Sequence, residues 1–294
     1  MSSNPRETAH DRGARTGPAA HAVDRARLTE HAALAPPVHR YPPAPRHTDL
    51  VRHYWVPVWD LPPQTESTEQ VLQYPSCLIV VAPDYARFYG VVPGLSTKAL
   101  QGSGWAVGVM LWGGAAPTVL GRSDASDLAD THVLLEELPG LRGVVAPIRS
   151  AMTPGPGDPD RHRVAIGLLE HALDALPPIS AEGREVTAIV QLVESDPHLL
   201  TVGELVARSG RSERTLQRLV HRHLGLTPKW LIQRRRLQEA AHQLKGGGRP
   251  LAQVATDLCY TDQAHFTRDF HRVTGYRPGQ FTRTLGRPDG LTQR

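Results

Sequence analysis

The sequence predicts an α+β multidomain chain: a mostly antiparallel β domain first, then an all-α domain with two helix-turn-helix motifs. Three observations lead there. First, residues 200–283 write one plan twice, a short apolar-periodic helix, a tight break, and a second helix rich in Arg and Gln. Second, from Arg46 to about Arg149 the chain breaks into short Val, Ile, Tyr and Trp runs bounded by Pro and Gly, the texture of β-hairpins. Third, charge is split. From Ser195 onward there are 17 Lys+Arg against 8 Asp+Glu, a balance of +9, while the rest holds 16 against 21, a balance of −5. A basic half beside an acidic half points to a polyanion partner for the basic one.

The expected organisation is a disordered tail over 1–45, a β-rich domain over 46–152, a linker and helix over 153–180, a helical DNA-binding domain over 181–285, and a tail over 286–294. The 294 residues suit two domains. Met1 to Pro45 is rich in Ala, Pro, Arg and His without sustained periodicity. In the β-rich segment the strand candidates are His53 to Pro57, Val71 to Tyr74, Leu78 to Ala82, Phe88 to Val92 and Trp105 to Trp112. Its aromatics, Tyr54, Trp55, Trp59, Tyr74, Tyr85, Phe88, Tyr89, Trp105 and Trp112, either line an apolar pocket or form the core. The core is the commoner use of such residues.

Enzyme signatures fail here. Gly102-Ser103-Gly104 with Gly108 leads into a strand-like run, where a dinucleotide loop requires a helix. No G-x-S-x-G elbow occurs. His53 and His132 are the segment's only histidines past His47, too few for a metal-binding barrel, so neither metal nor cofactor is expected. Cys77 and Cys259 form no disulfide framework and no Cys-rich zinc site. No 18-residue apolar run and no signal-peptide core is present, so no membrane partner and a cytoplasmic location are expected.

Thr153 to Pro159 is a Pro/Gly break, expected to separate two halves that fold independently from about Ser180. After it, Val164, Ile166, Leu168, Leu169, Ala172, Leu173 and Leu176 give a helix with a broad apolar face, open to packing on its own domain or on a twin. Val186, Ile189, Val190 and Val193 form the core face of the next helix. Thr201 with Glu204 makes a capping box, and Val202, Leu205 and Val206 share a face. Ser212 caps the first recognition helix, and Thr261 or Asp262 the second. Between them Thr227-Pro228 opens a long helix that Gly246-Gly247-Gly248 ends, and Pro250 starts the next.

Two stretches carry a resemblance. Ala207 to Ala241 resembles the first helix-turn-helix of the AraC/XylS transcription regulators. Leu258 to Arg283, with Gly275-Tyr276-Arg277-Pro278-Gly279-Gln280-Phe281, resembles the second. His53 to Pro57 and Gly104 to Trp112 are similar in texture to the cupin-like N-terminal domains fused to some of these regulators. There is one departure. Cys259 stands where the second turn usually carries Gly, so a backbone outside the left-handed region is expected there. That turn is also one residue longer, since Arg218 to Arg268 is an offset of 50 and Gly210 to Cys259 one of 49.

The resemblance implies a non-enzymatic, sequence-specific regulator whose partner is double-stranded DNA. A small-molecule effector, a homodimer and, for an activator, RNA polymerase are left open. The alternatives are a cupin-type enzyme fused to a DNA-binding domain and a ligand-independent DNA-binding protein. The outward set that would meet base edges is Arg211, Arg214, Thr215, Gln217 and Arg218 in the first copy, and Gln263, Ala264, His265, Thr267 and Arg268 in the second. Arg234, Arg235 and Arg236 on the connecting helix are expected to meet phosphates or acidic side chains.

Overall fold

A computed structural model describes residues 36–246 and 249–285. The expectations for Met1 to Ala35, Gly247, Gly248 and residues 286–294 lie outside the described residues. Among the described residues nine strands come first: β1 (Val38–Tyr41), β2 (Val51–Asp60), β3 (Glu66–Leu72), β4 (Leu78–Val81), β5 (Ala86–Tyr89), β6 (Leu95–Gln101), β7 (Ser103–Trp105), β8 (Val107–Leu111) and β9 (His132–Leu134). Ten described α-helices follow or interrupt them: α1 (Ala116–Leu120), α2 (Val145–Met152), α3 (Pro159–Asp174), α4 (Ala181–Ser195), α5 (Val202–Ser209), α6 (Glu213–Leu224), α7 (Pro228–Lys245), α8 (Leu251–Asp257), α9 (Gln263–Thr274) and α10 (Pro278–Leu285).

One sheet runs β1-β2-β8-β4-β5-β9, with β7 also on β2, and all its pairs are antiparallel. β3 and β6 form a separate two-stranded ribbon. The tail expected through Pro45 is therefore corrected in part. Val38–Tyr41 pairs with β2, because Val38 stands opposite Pro57 and Tyr41 opposite Tyr54. Four residues of intermediate burial show no alternation to read in the sequence. Tyr54, Phe88, Trp105 and Tyr74 are buried, which makes these aromatics core. Trp55 instead lies across Gly108 on the other face, where a Cβ would fall 2.0 Å from the indole.

The break at Thr153–Pro159 is a turn between two packed helices. α3 turns back and buries His162, Ala165, Ile166, Leu169 and Leu173, leaving Val164 at the surface. One hydrophobic core runs from Val51, Phe88 and Val109 in the sheet through Val186 and Val190 of α4 to Leu205, Leu216 and Leu231. The two parts touch at backbone distance. A Cβ on Gly114, in the loop after β8, would lie 1.8 Å from the carbonyl oxygen of Gly183 on α4. The second helix-turn-helix has its own core of Phe266, Phe270, Phe281, Val254 and Leu237, joined by Leu72 of the ribbon.

The ribbon grips α7 through carbonyls at its open end, those of Leu72 and Gln73 on one side and of Pro93 and Gly94 on the other. Arg234 donates from Nε to the Gln73 oxygen at 2.7 Å and from Nη2 to the Gly94 oxygen at 3.3 Å. Gln238 donates to the Leu72 oxygen at 3.0 Å, and the Trp230 indole to the Pro93 oxygen at 3.2 Å. The expectation that Arg234, Arg235 and Arg236 meet phosphates or acidic side chains is thereby corrected for Arg234. Arg234 is buried, and burial pushes its guanidinium down to about 9, still charged at neutral pH. Arg235 donates to the Pro197 and Leu199 oxygens, both at 3.1 Å, and Arg236 lies 4.1 Å from the Tyr260 ring centre. α7 is enclosed by the ribbon and both motifs, so little of it faces outward.

Candidate nucleic-acid interface

Local sequence sets both motifs. The Thr201 hydroxyl accepts from the Glu204 N–H at 3.2 Å while the Glu204 carboxylate accepts from the Thr201 N–H at 2.9 Å. Ser212 caps α6, Thr227 caps α7 with Pro228 in the first turn, and Asp262, not Thr261, caps α9. α5 ends on Gly210 at φ 66°, whose N–H reaches the Val206 oxygen. α8 ends differently. The Cys259 N–H donates to the Thr256 oxygen and the Tyr260 N–H to the Ala255 oxygen, both at 2.9 Å. That pair of bonds is a Schellman motif, which requires a left-handed residue at Cys259. Its φ is 54°, so the expectation of a non-left-handed turn is corrected. The reason is tertiary: burying Tyr260 holds the turn and also accounts for its extra residue.

On α9 the helical repeat places Gln263, Ala264, Thr267, Arg268 and His271 along one groove, with Arg277 just before α10. On α6 a second groove is lined by Gln217, Arg218, His221, Arg222, Leu226 and Thr227, with Asp124 from the β domain. The two grooves correspond at the 50-residue offset: Gln217 with Thr267, Arg218 with Arg268, His221 with His271 and Thr227 with Arg277. The repeat read in the sequence is thus a repeat of surface as well as of chain.

Not every expected residue lies on these surfaces. Arg214, Gln217, Arg218, Gln263, Ala264 and Arg268 are exposed, and Thr215 and Thr267 half-buried. The Thr215 hydroxyl is 2.9 Å from that of Ser212, inside the cap. His265 is on the flank of α9, its ring edge-on to Tyr260 at 5.3 Å and its Nε2 3.7 Å from Asp269. Arg211 lies in the turn and pairs with Glu185 of α4 at 2.6 Å. Arg218 and Arg222 share Glu182 of α4, one on each carboxylate oxygen, both at 2.9 Å. These arginines, Arg218 first, hold the Glu182 carboxyl below the usual range.

Arg222, His221, His271 and Arg277 were not among the sequence candidates. Extending the i, i+4 stripe one turn past Arg218 and Arg268 would have found the first three. The acidic partners come from another helix, and no local pattern signals them. Among the described residues no group of three or more His, Cys, Asp or Glu is placed to hold a metal ion. Nor is any helix there long and apolar enough to cross a membrane. Cys77 is buried, which pushes its thiol up to about 12, away from reactivity.

Comparison with known proteins gives two family matches, a helix-turn-helix domain over residues 205–284 and a domain of unknown function (DUF6597) over residues 39–134. A putative AraC-like transcription regulator of Streptomyces antibioticus is 31% identical over 97 residues, 33% of this chain and 32% of its own. The HTH-type transcriptional activator RhaS of Escherichia fergusonii is 35% identical over 71 residues, 24% of this chain and 26% of its own. An uncharacterized HTH-type transcriptional regulator of Haemophilus influenzae is 25% identical over 125 residues, 42% of this chain and 41% of its own. The chain spans less than half the length of the curated relatives it matches. Among solved structures, ToxT from Vibrio cholerae O395 aligns over 79% of this chain and 98% of its own, at 10% identity and a TM-score of 0.41.

Proposed function

We propose that this chain, whose residues 205–284 match a helix-turn-helix domain, is a sequence-specific DNA-binding transcription regulator of the AraC type, acting in the cytoplasm. The observation that carries the reading is the pair of matching grooves, each on the second helix of a motif and each presenting Arg with Gln or Thr. Arg can pair bidentately with guanine, and Gln with adenine. The candidates for base contact are Arg214, Gln217 and Arg218 on α6 and Gln263, Ala264, Thr267 and Arg268 on α9. His271 and Arg277, which line the same groove as Arg268, would meet flanking phosphates.

The β domain, in this reading, is a regulatory frame for the DNA-binding half. Its ribbon holds α7, the helix that joins the two motifs, and its Ala125 N–H satisfies the Arg222 carbonyl at the end of α6 at 2.8 Å. A change in that domain would therefore reach both recognition helices. The test is binding of the full chain to duplexes recovered from a randomised library, across salt. The affinity should fall on a log–log plot with a slope of about −0.9 per neutralised phosphate. A flat response, or recovery of no preferred sequence, would refute the reading.

A further inference from the structure

The two recognition helices differ in their surroundings. α6 faces carboxylates that belong to other elements. Glu182 holds Arg218 and Arg222 together, Glu185 holds Arg211, and Asp124 lines the same groove. Among the described residues no carboxylate lines the α9 groove, where Arg268 and Arg277 stand with Gln263, Thr267 and His271. The Glu182–Arg218 pair is solvent-exposed, with Glu182 at 40% and Arg218 at 45%, while Glu185 is half-buried beside Arg211. Exposed pairs of this kind contribute little to folding, so stability gives no reason for this arrangement. Their effect on a polyanion is larger, because any phosphate approaching Arg218 or Arg222 meets the Glu182 carboxylate already beside them.

We propose that Glu182 and Glu185 are built-in counter-ions of the first recognition helix, which lower its affinity for DNA in general and so make it specificity-determining. The inference rests on the DNA-binding reading above. Backbone phosphates attract the arginines of α6 and α9 alike on any sequence. On α6 that attraction is offset by carboxylates already in place. Net gain there requires contacts that only the right bases return, such as a bidentate Arg218–guanine pair. On the second motif Asp269 pairs with Arg272 and His265, outside the groove that Arg268 and Arg277 line, and that groove supplies the general grip.

The test is anisotropy titration of the full chain with a random-sequence duplex and with the library-selected duplex, in wild type and Glu182→Gln/Glu185→Gln. The double variant should bind the random duplex about three- to tenfold more tightly, with a salt slope steeper by about one phosphate equivalent. Its ratio of selected to random affinity should fall. Glu185→Gln alone, which frees only Arg211, should move the same way by less, and it serves if the double variant loses its circular dichroism. Unchanged or weaker random-duplex binding, with the wild type binding normally, would overturn the inference alone. If the wild type binds neither duplex, the DNA-binding reading falls and this inference with it.

Discussion

Gly114→Ala is the sharpest probe of how the β domain and the helical half are joined. The new Cβ would meet the Gly183 carbonyl oxygen at 1.8 Å, whereas real Cβ atoms keep beyond 3.0 Å. Relief needs a separation of more than 1 Å, and both partners are backbone, so no side chain can swing aside. The neighbouring contacts are already close: a Cβ on Gly113 would lie 3.1 Å from Val190. Overpacking a tight site costs about 1–3 kcal/mol. Opening this seam by about 1 Å also forfeits a quarter to a half of its dispersion contacts. The Gly114 N–H bond to the Thr187 hydroxyl, 3.3 Å, would go too. A loss of about 3 kcal/mol follows, at the upper end of that range. Urea unfolding followed by tryptophan fluorescence and by far-ultraviolet circular dichroism measures it. The wild type should unfold in one transition by both probes, and the variant earlier, with the two probes separating as docking fails first. Gly143→Ala, where nothing lies within 4 Å, should stay within about 0.5 kcal/mol of wild type. A Gly114→Ala loss below about 1 kcal/mol would refute the backbone contact.

Two further outcomes are expected. Cys259→Gly should stabilise by about 0.5–1 kcal/mol in equilibrium denaturation, because relief of about 1–2 kcal/mol of left-handed strain exceeds the added chain entropy; a destabilised variant would show the turn is not the left-handed one. His53 is pushed down to about 4, first by burial and then by Arg52 and Arg40, from 6.5 in the unfolded chain. It is neutral in the fold while the unfolded imidazole takes a proton, so its contribution is complete above pH 6.5 and is lost as pH falls from 6.5 toward 4. His53→Gln should flatten the acid limb of the stability curve by about one proton, roughly 1.4 kcal/mol per pH unit at most. An unchanged limb would mean that His53 is charged in the fold.

What the sequence made legible was local. Thr201 with Glu204, Ser212, Pro228 and the inward Leu216, Leu219 and Phe266 follow from caps and a 3.6-residue period, and these hold in the structure. The rest depends on partners distant in the chain. Val38–Tyr41 is a strand because β2 is beside it. Arg234 is buried because a ribbon some 140–160 residues earlier offers it two carbonyls. Cys259 is left-handed because Tyr260 must reach the core. The same division applies to the site. The outward stripe was readable from periodicity, but His265 falls on its flank, and the carboxylates facing Arg211 and Arg218 could not be read from α6 at all.

Base preference of the arginine variants tests the central claim most directly. If α7 holds the two grooves on one face of a duplex, one chain reads two successive major-groove segments about 34 Å, or roughly 10 base pairs, apart. Library selections with Arg218→Ala and Arg268→Ala should then lose preference in different segments, each by about 1–3 kcal/mol of discrimination. Loss at the same base pairs in both variants, or an equal weakening on all sequences, would contradict it.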